Sequence, residues 1–405
     1  MITAISWRNV WRSKLRSIVI MSAITLGLTG GIFSVAIFNG MSEQKLRSAI
    51  DVQTSHIQIH QQGFRKNKDI RLYIPHLEKL KTEILSTNHV DKWAIRTVIS
   101  GMAATSNGNA GIQLNGIIPE DEKQVTTLSQ MMIEGEYFET QRKNQIVVGK
   151  KLADKLEVKL GSKIIVTLQD ANGEIVGAAF RVSGIFKTPS SLFDESQAFV
   201  RKGDLEKLAG QANTSHEIAI RMNNIEQVPE AIHELQAATN GQPLAIESWR
   251  EVEPELAYLT DSMWQINYLF LAIILAALAF GILNTMLMAI FERVKELGVL
   301  MAVGMNKFNI FKMIVLETVF LSLSGALVGI ALSFALVKWI NQIGINLSMF
   351  AEGLASYGLS SIIYPNLDNE FYLSITLMVI ITAILASIYP AIKALQLKPV
   401  EAIHG

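Results

Sequence analysis

Residues 262–291 read SMWQINYLFLAIILAALAFGILNTMLMAIF and contain no charged side chain in 30 consecutive positions. A helix of about 20 apolar residues crosses the ~30 Å hydrocarbon core of a bilayer. Three further uncharged blocks, each of at least 20 residues, occur at residues 17–42, 318–337 and 371–392. The sequence therefore predicts four transmembrane helices, which we call spans 1 to 4 in chain order.

The composition of the 405-residue chain agrees with a membrane protein. Apolar residues make up 50% and charged residues only 18%, whereas an average soluble domain has about 25% charged residues. The 36 basic residues balance 36 acidic ones, so no basic surplus exists to neutralise a nucleic-acid backbone. The chain has no cysteine, which excludes disulfides and thiolate metal sites. We expect no nucleic-acid partner.

The basic residues near the span ends predict the orientation, because cytoplasmic loops carry the lysine and arginine excess. Residues 1–17 and 292–312 hold four each and residues 393–405 hold two, whereas residues 338–370 hold one. Both termini and the loop between spans 2 and 3 are therefore expected in the cytoplasm. The first apolar block exceeds the roughly 7 to 15 residues of the apolar region of a signal peptide and is expected to stay as an anchor.

These observations divide the chain into nine predicted segments. They are a cytoplasmic amphipathic helix at 1–17, transmembrane helix 1 at 18–42, a periplasmic core domain with helical stalks at 43–261, transmembrane helix 2 at 262–291, a cytoplasmic coupling helix loop at 292–312, transmembrane helix 3 at 313–337, a periplasmic loop at 338–370, transmembrane helix 4 at 371–392 and a cytoplasmic tail at 393–405. The predicted fold class is a membrane α-helical protein with four transmembrane helices and a large α+β periplasmic domain of two small lobes inserted between helices 1 and 2.

The inserted segment shows mixed strand and helix patterns. Residues 55–61 alternate between apolar and polar side chains, as in a strand with one buried face. Residues 170–173 read DANG, a turn signal that joins two strands in a hairpin. Residues 40–53 and 249–261 look helical and would continue spans 1 and 2 as two stalks. Further strands are predicted at 93–104, 110–118, 145–148, 163–169, 174–187 and 197–200, and helices at 75–87, 148–157, 203–210 and 225–238.

The sequence offers no motif for catalysis. Gly149-Lys150-Lys151 is the nearest approach to a phosphate-binding loop, but it lacks the upstream glycine and the hydroxyl residue. We therefore expect no enzyme activity, catalytic residue, metal site or cofactor in this chain. Glu317, about one turn inside span 3, is expected to reach the cytoplasmic interface or to pair with Lys312 or Lys295; a functional intramembrane carboxylate is the alternative. Span 2 contains three polar residues expected to bond between helices, namely Asn267, Asn284 and Thr285.

The loop after span 2 carries the most specific pattern. Residues 291–305 read FERVKELGVLMAVGM. This stretch resembles the FtsX-like permease family, whose corresponding segment is close to E-R-x-x-E-[IL]-G-x-L-[RM]-A-x-G. The N-terminal pattern at 7–16 and the ending YPAIKA at 389–394 with KPVEAI at 398–403 are similar to the same family. Four external stretches, 116–120, 134–138, 148–153 and 182–186, resemble the periplasmic core domain of MacB and of lipoprotein-releasing permeases.

This resemblance implies the transmembrane subunit of a mechanotransmission ABC transporter, without a nucleotide-binding domain of its own. Two permease copies, identical or different, would each dock a separate ABC ATPase subunit that holds ATP and magnesium. The loop would act as the coupling helix, and ATP-driven closure of the ATPases would move it. The implied docking residues are Glu292, Arg293, Lys295 and Glu296, and the implied turn residues are Gly298 and Gly304.

The layout is similar to the lipoprotein-releasing permeases, which implies lipoproteins or another lipid-linked cargo. Acyl chains would then lie near six residues of spans 1 and 2, namely Val35, Phe38, Met41, Met263, Ile266 and Phe270. The hairpin 166–180 has a short turn and lacks the long hook by which one family member recruits a periplasmic chaperone. Two alternatives stay open: MacB-like efflux with a periplasmic adaptor and an outer-membrane channel, and a non-transporting regulator of the FtsX type, which has a much smaller external domain.

Overall fold

A computed structural model describes residues 2–87, 90–138 and 142–396. The end of the predicted cytoplasmic tail, with the motif at 398–403, lies outside the described residues. The described chain forms two compact units. The membrane unit comprises the residues up to Met41, Ser262–Asn346 and those from Ile362 onward, and the inserted domain comprises Ser42–Asp261 and Leu347–Ser361.

Four helices are long and apolar enough to cross a membrane within the described ranges. The helix of span 1 is Lys14–Ala49, that of span 2 is Pro254–Glu292, that of span 3 is Lys307–Ile343 and that of span 4 is Asn369–Leu395. Each helix extends beyond its uncharged block, since polar flanking residues continue the same backbone hydrogen bonding. The four predicted transmembrane helices are confirmed.

Two glycines in span 3 allow a close approach to span 1. A Cβ atom on Gly325 would lie 2.9 Å from the carbonyl oxygen of Met21, and one on Gly329 would lie 3.0 Å from that of Thr25. The hydroxyl of Thr25 donates to the carbonyl of Gly325 at 2.9 Å. Small residues four positions apart let helix backbones touch in a membrane, where dispersion and hydrogen bonds provide most of the attraction.

The N-terminal helix, Ile2–Arg12, packs against span 3. The hydroxyl of Ser6 donates to the carbonyl of Met313 at 3.1 Å, and the Trp7 ring meets the edge of Phe320 at 5.6 Å. The predicted amphipathic pattern is present, because Ser6 and Val10 are buried whereas the basic residues lie on the exposed face.

The inserted domain is built on one mixed sheet of ten strands. They are β1 (Ile57–Gln61), β2 (Val90–Ala104), β3 (Asn109–Ile117), β4 (Met132–Gly135), β5 (Gln145–Gly149), β6 (Lys163–Gln169), β7 (Ile175–Phe186), β8 (Gln197–Arg201), β9 (Glu217–Met222) and β10 (Leu244–Ser248). Their order is β10-β1-β9-β2-β3-β8-β5-β7-β4, and β6 pairs with β2 and β7. The predicted DANG turn joins β6 to β7, with Gly173 at φ +87°.

Two large apolar cores lie on this single sheet. The first is built around Ile59, Ile218 and Leu235, and the second around Leu114 and Phe180. Both cores belong to the one compact unit that the inserted domain forms. The domain helices are Phe64–Asn67, Leu77–Ser86, Pro119–Val125, Lys150–Lys155, Ser191–Ser196, Lys202–Ala209, Val228–Ala238, Trp249–Val252 and Ala351–Ser356.

Three sequence expectations about this domain need correction. Strand β1 is buried on both faces, since Gln58 and His60 are buried as well as Ile57 and Ile59. The first stalk changes at its end from α-helix to a π-helical segment, Ile50–Thr54. The second stalk is broken at Glu253, which has φ −122° and ψ 73°, because the residue before a proline is excluded from the helical region.

Candidate functional site

The loop between spans 2 and 3 folds into a short helix, Val294–Ala302, which we call the loop helix. Leu297 and Gly298 are buried on its inner side. Gly298 was predicted to be a turn residue, but it lies buried inside the helix. The turn is made at Gly304, which has a φ of +97°, a value that glycine adopts without steric cost.

Arg293 holds the start of the loop helix against span 3. Its Nη1 atom lies 2.9 Å from Oε1 of Glu317, and its Nε atom lies 3.2 Å from Oε2 of Glu296. The side chains of Arg293 and Glu317 are only 17% and 6% exposed. The expected partners of Glu317, Lys312 and Lys295, were therefore wrong: the partner is Arg293, which follows the end of span 2.

Two further ion pairs connect the loop to the N-terminal part of the chain. Arg12, the last residue of the N-terminal helix, pairs with Glu296, and Arg16 of span 1 lies 2.8 Å from Glu292. Burial opposes ionisation of Glu296, but the guanidinium groups of Arg12 and Arg293 outweigh it and hold the pKa of this carboxyl below its usual value. The loop helix, together with Glu292 and Arg293 just before it, is thus connected by charge to the N-terminal helix and to spans 1 and 3.

The predicted docking residues fall into two groups in this geometry. Arg293 faces into the chain, so it positions the loop helix and is not offered to solvent. Lys295 is exposed, and no ion pair involves it in the part of the chain that the structure describes. Val299 and Val303, which the sequence analysis did not select, are 50% and 83% exposed. In the sequence, the signal that could have identified them was the i, i+4 spacing of two valines after the charged residues of the loop.

A cavity of about 570 Å³ lies beside the loop helix within the membrane unit. Its lining combines the apolar side chains of Met286, Ile290 and Met313 with the polar ends of Asn9 and Glu317. Next to this cavity, Leu297 of the loop helix belongs to the apolar core between the spans, and Leu300 and Met301 pack partly buried against that core.

The six residues predicted to line an acyl-chain site are only partly brought together. The rings of Phe38 and Phe270 lie 6.2 Å apart, and Phe270 is half exposed. Val35, in contrast, is 3% exposed and belongs to the core between the spans, so within this chain it does not face an accessible site. The structure describes Met41, Met263 and Ile266 as half-buried.

Asn39 and Gly40, which follow Phe38 in span 1, each contact another part of the membrane unit. Asn267 donates to the side-chain oxygen of Asn39 at 2.6 Å, which confirms the expected bond between spans 1 and 2. Gly40 lies against the backbone carbonyl of Tyr364, where a Cβ atom would collide. Thr285 bonds to Gly281 of its own helix, and Asn284 is exposed, so neither makes the expected interhelical bond within the described structure.

Four apolar helices, a large domain inserted after the first and a charged loop helix after the second define a polytopic permease. The family model for the FtsX-like permease C-terminal region matches residues 268–399, and that for the MacB-like periplasmic core domain matches residues 17–238. The latter covers more than half of the chain. The chain belongs to the FtsX-like, MacB-type family of ABC transporter permeases.

Named relatives are similar at low identity. The lipoprotein-releasing system transmembrane protein LolC of Xylella fastidiosa is 23% identical over 305 residues, which cover 72% of each chain. The macrolide export ATP-binding/permease protein MacB of Neisseria meningitidis is 22% identical over 427 residues, covering 98% of this chain and 60% of that protein. The periplasmic region of MacB from Actinobacillus actinomycetemcomitans aligns at 13% identity with a TM-score of 0.37, covering 53% of this chain and 97% of that one.

Proposed function

We propose that this chain is the membrane subunit of a type VII, or mechanotransmission, ABC transporter, driven by an ATPase on a separate polypeptide. The observation that carries the proposal is the connection of the loop helix to its surroundings. Ion pairs made by Glu296 of the loop helix and by Glu292 and Arg293, which directly precede it, reach the N-terminal helix, span 1 and span 3. A force applied to the loop helix is therefore shared by several helices, and spans 1 and 2 continue along the chain into the inserted domain.

The proposed orientation places the termini and the loop helix in the cytoplasm and the inserted domain in the periplasm. It is supported by the ten basic residues near the span ends on one side against one on the other. The absence of natural cysteine from the sequence allows a direct test. Single cysteines at Lys295 and at Lys163, which lies on β6, should react with a membrane-impermeant maleimide from opposite sides. Labelling of both in intact spheroplasts would contradict this orientation.

The ATPase is proposed to dock on the exposed stripe of Lys295, Val299 and Val303. An apolar anchor within a charged rim is the usual composition of a small protein interface. Glu292 and Glu296 lie at the edge of this stripe and also bind arginines of the same chain. ATP and magnesium would be held by the ATPase, and a second permease copy would complete the transporter.

The proposed cargo is a lipoprotein or another lipid-linked molecule taken from the membrane. The relative named as a lipoprotein-releasing protein supports this class, as do the paired rings of Phe38 and Phe270 on spans 1 and 2. The relative named MacB supports a second candidate, export of periplasmic substrates with an adaptor and an outer-membrane channel. A periplasmic chaperone would be the further partner in the first case and an adaptor in the second. A regulator without transport is the third candidate.

The deciding experiment measures ATP hydrolysis by the chain and its co-encoded ATPase in nanodiscs, with and without a triacylated lipoprotein. We expect cargo to stimulate hydrolysis, and expect Val299→Asp with Lys295→Glu to abolish ATPase binding. Glu292→Ala with Glu296→Ala should weaken coupling through the loop helix. Lys163→Glu, an equally exposed charge reversal on β6, serves as the control. An ATP hydrolysis rate that changes neither with cargo nor with the loop variants would contradict the proposed cargo and the proposed docking site.

A further inference from the structure

The buried polar face of β1 leads to a charge network that none of the motifs indicated. Strand β1 presents Gln58 and His60 to the interior, and each is at most 5% exposed. Buried charged and polar groups are tolerated when they are paired and hydrogen-bonded. In this domain the partners come from β2 and β9, which lie far from β1 in the sequence.

Arg96 of β2 forms one end of this network. Its guanidinium binds both carboxylate oxygens of Glu122 at 2.7 and 3.1 Å and Oε1 of Glu217 at 2.6 Å. Its Nη1 atom also donates to the backbone carbonyl of Gln53 at 2.9 Å. Gln53 belongs to the π-helical segment Ile50–Thr54 that ends the first stalk, and π-helical turns occur often at functional positions. The side chain of Gln58 donates to the next carbonyl, that of Thr54, at 3.0 Å.

From Glu217 the network continues to the second stalk. Oε2 of Glu217 lies 3.3 Å from Nε2 of His60. Nδ1 of the same ring lies 3.8 Å from Oε2 of Glu247, a close approach but not a hydrogen bond, and it has no hydrogen-bond partner among the described residues. Glu247 binds Arg65 at 2.8 Å. Arg65 then donates to the backbone carbonyls of Glu251 at 3.0 Å and Val252 at 2.8 Å. These carbonyls immediately precede the break at Glu253, after which the long helix of span 2 begins.

Both stalk ends are therefore attached to the sheet by the same means, an arginine that binds backbone carbonyls. A buried ion pair is weak support for stability, because desolvation offsets much of the attraction. It does fix geometry, since a guanidinium presents its donors in a rigid planar fork. Backbone carbonyls also cannot swing away as side chains can, so a displacement of either stalk end must move the arginine and the strands that hold it.

We propose that the network from Arg96 through Glu217, His60 and Glu247 to Arg65 is the joint that attaches both stalks to the sheet of the inserted domain. Arg96 and Arg65 are its positioning residues. Transmission of an ATP-driven movement through this joint rests on the proposed function, whereas the attachment itself does not.

Amide hydrogen exchange of the full chain in nanodiscs tests the attachment without any ATPase. Arg65→Met removes the arginine contact with the second stalk. Arg96→Met combined with Glu122→Gln and Glu217→Gln removes the arginine contact with the first stalk without leaving a buried charge unpaired, while Gln58 still donates to Thr54. We expect exchange at residues 249–253 and 50–54, respectively, to rise about tenfold or more, as loss of a charged hydrogen bond implies. Exchange in β6 and β7 should stay unchanged.

Lys202→Met is the matched control, because Lys202 is also a buried cation that binds a carboxylate, Glu206, and a backbone carbonyl, that of Thr214. Neither of these two partners belongs to a stalk end, so the change should leave the exchange at both stalk ends unchanged. Unchanged exchange at the stalk ends in the network variants would overturn the joint. If the triple variant fails to fold, Arg65→Met alone decides, since Arg65 lies at the partly exposed end of the network.

Transmission is tested by repeating the exchange measurement with the ATPase, with and without ATP. The wild-type domain should show a nucleotide-dependent difference that the network variants lose while ATP hydrolysis continues at its basal rate. A difference that persists after the stalk ends have loosened would overturn transmission through the joint. A wild-type domain without any nucleotide response would instead contradict the proposed function and leave the attachment result intact.

Discussion

Replacing Glu317 with leucine should destabilise the membrane unit through one identifiable contact. The carboxylate lies 2.9 Å from Nη1 of Arg293, and the two side chains are 6% and 17% exposed. Removing one partner of a buried ion pair costs about 3 to 5 kcal/mol, because the other charge is left unpaired. Arg293 retains Glu296 at 3.2 Å, which compensates in part, so we expect a loss of about 3 kcal/mol, at the lower end of that range.

Comparison with two other variants isolates the contribution of the Arg293–Glu317 ion pair to the free energy of unfolding. The double variant Arg293→Met, Glu317→Leu removes both charges and should recover most of the lost free energy of unfolding, since an apolar pair of similar volume is often neutral. Glu292→Gln breaks the pair with Arg16, whose carboxylate partner is 51% exposed, and should cost no more than about 1 kcal/mol.

The assay is reversible unfolding of the full chain in mixed micelles, followed by tryptophan fluorescence. The reasoning requires a negative coupling between the two single changes, with the double variant more stable than Glu317→Leu. It would be refuted if Glu317→Leu cost as little as Glu292→Gln, or if the costs of the two single variants simply added.

Three further outcomes follow from the packing and from the pKa values of the inserted domain. Gly325→Ile should lower the free energy of unfolding by at least about 2 kcal/mol, because the new Cβ atom would lie 2.9 Å from a backbone oxygen. Gly281 has open space around it, so Gly281→Ile should have little effect in the same unfolding assay. Burial opposes ionisation of Glu217, but Arg96 outweighs this effect and lowers the pKa of the carboxyl to about 2. The stabilisation from this group is present above the ordinary pKa near 4.5 and is lost as the pH falls through 2. The loss in the free energy of unfolding is about 3 kcal/mol. Acid titration of the near-ultraviolet circular dichroism should show this loss, and Glu217→Gln should reduce it. Burial raises the pKa of Asp194 to about 6 despite the hydrogen bonds from Thr188, so its contribution is fully present below pH 3.8 and is lost as the pH rises through 6; a melting temperature that falls over this interval in the wild type and not in Asp194→Asn is the expected result.

The four spans could be read from the sequence because the signal is local. A block such as 262–291 without a charge has few stable conformations other than a helix in a bilayer, whatever the rest of the chain does. The turn at 170–173 and most strands of the inserted domain were predicted for the same reason, since turn residues and alternation act over a few positions. The central strand β9 was missed, because its short EIAIRM segment is specified by its neighbours β1 and β2.

The candidate site likewise has some features that are visible in the sequence and others that only the tertiary structure decides. The charged loop and its glycines are visible in the sequence, and Gly304 makes the turn. Whether a given charge faces solvent is decided by residues far along the chain. Arg293 forms its ion pair with Glu317, 24 positions later, and Glu296 forms its pair with Arg12, 284 positions earlier.

The same distinction applies to the buried network of the inserted domain. The sequence by itself determined the spans, the loop and the outline of the domain, because hydrophobicity and turn chemistry act between near neighbours. Only the tertiary structure decided that His60 of β1 is buried beside Glu217 and that Arg96 holds the end of a stalk. Charge pairing depends on distances of a few ångströms between groups that the chain brings together only when the sheet is complete.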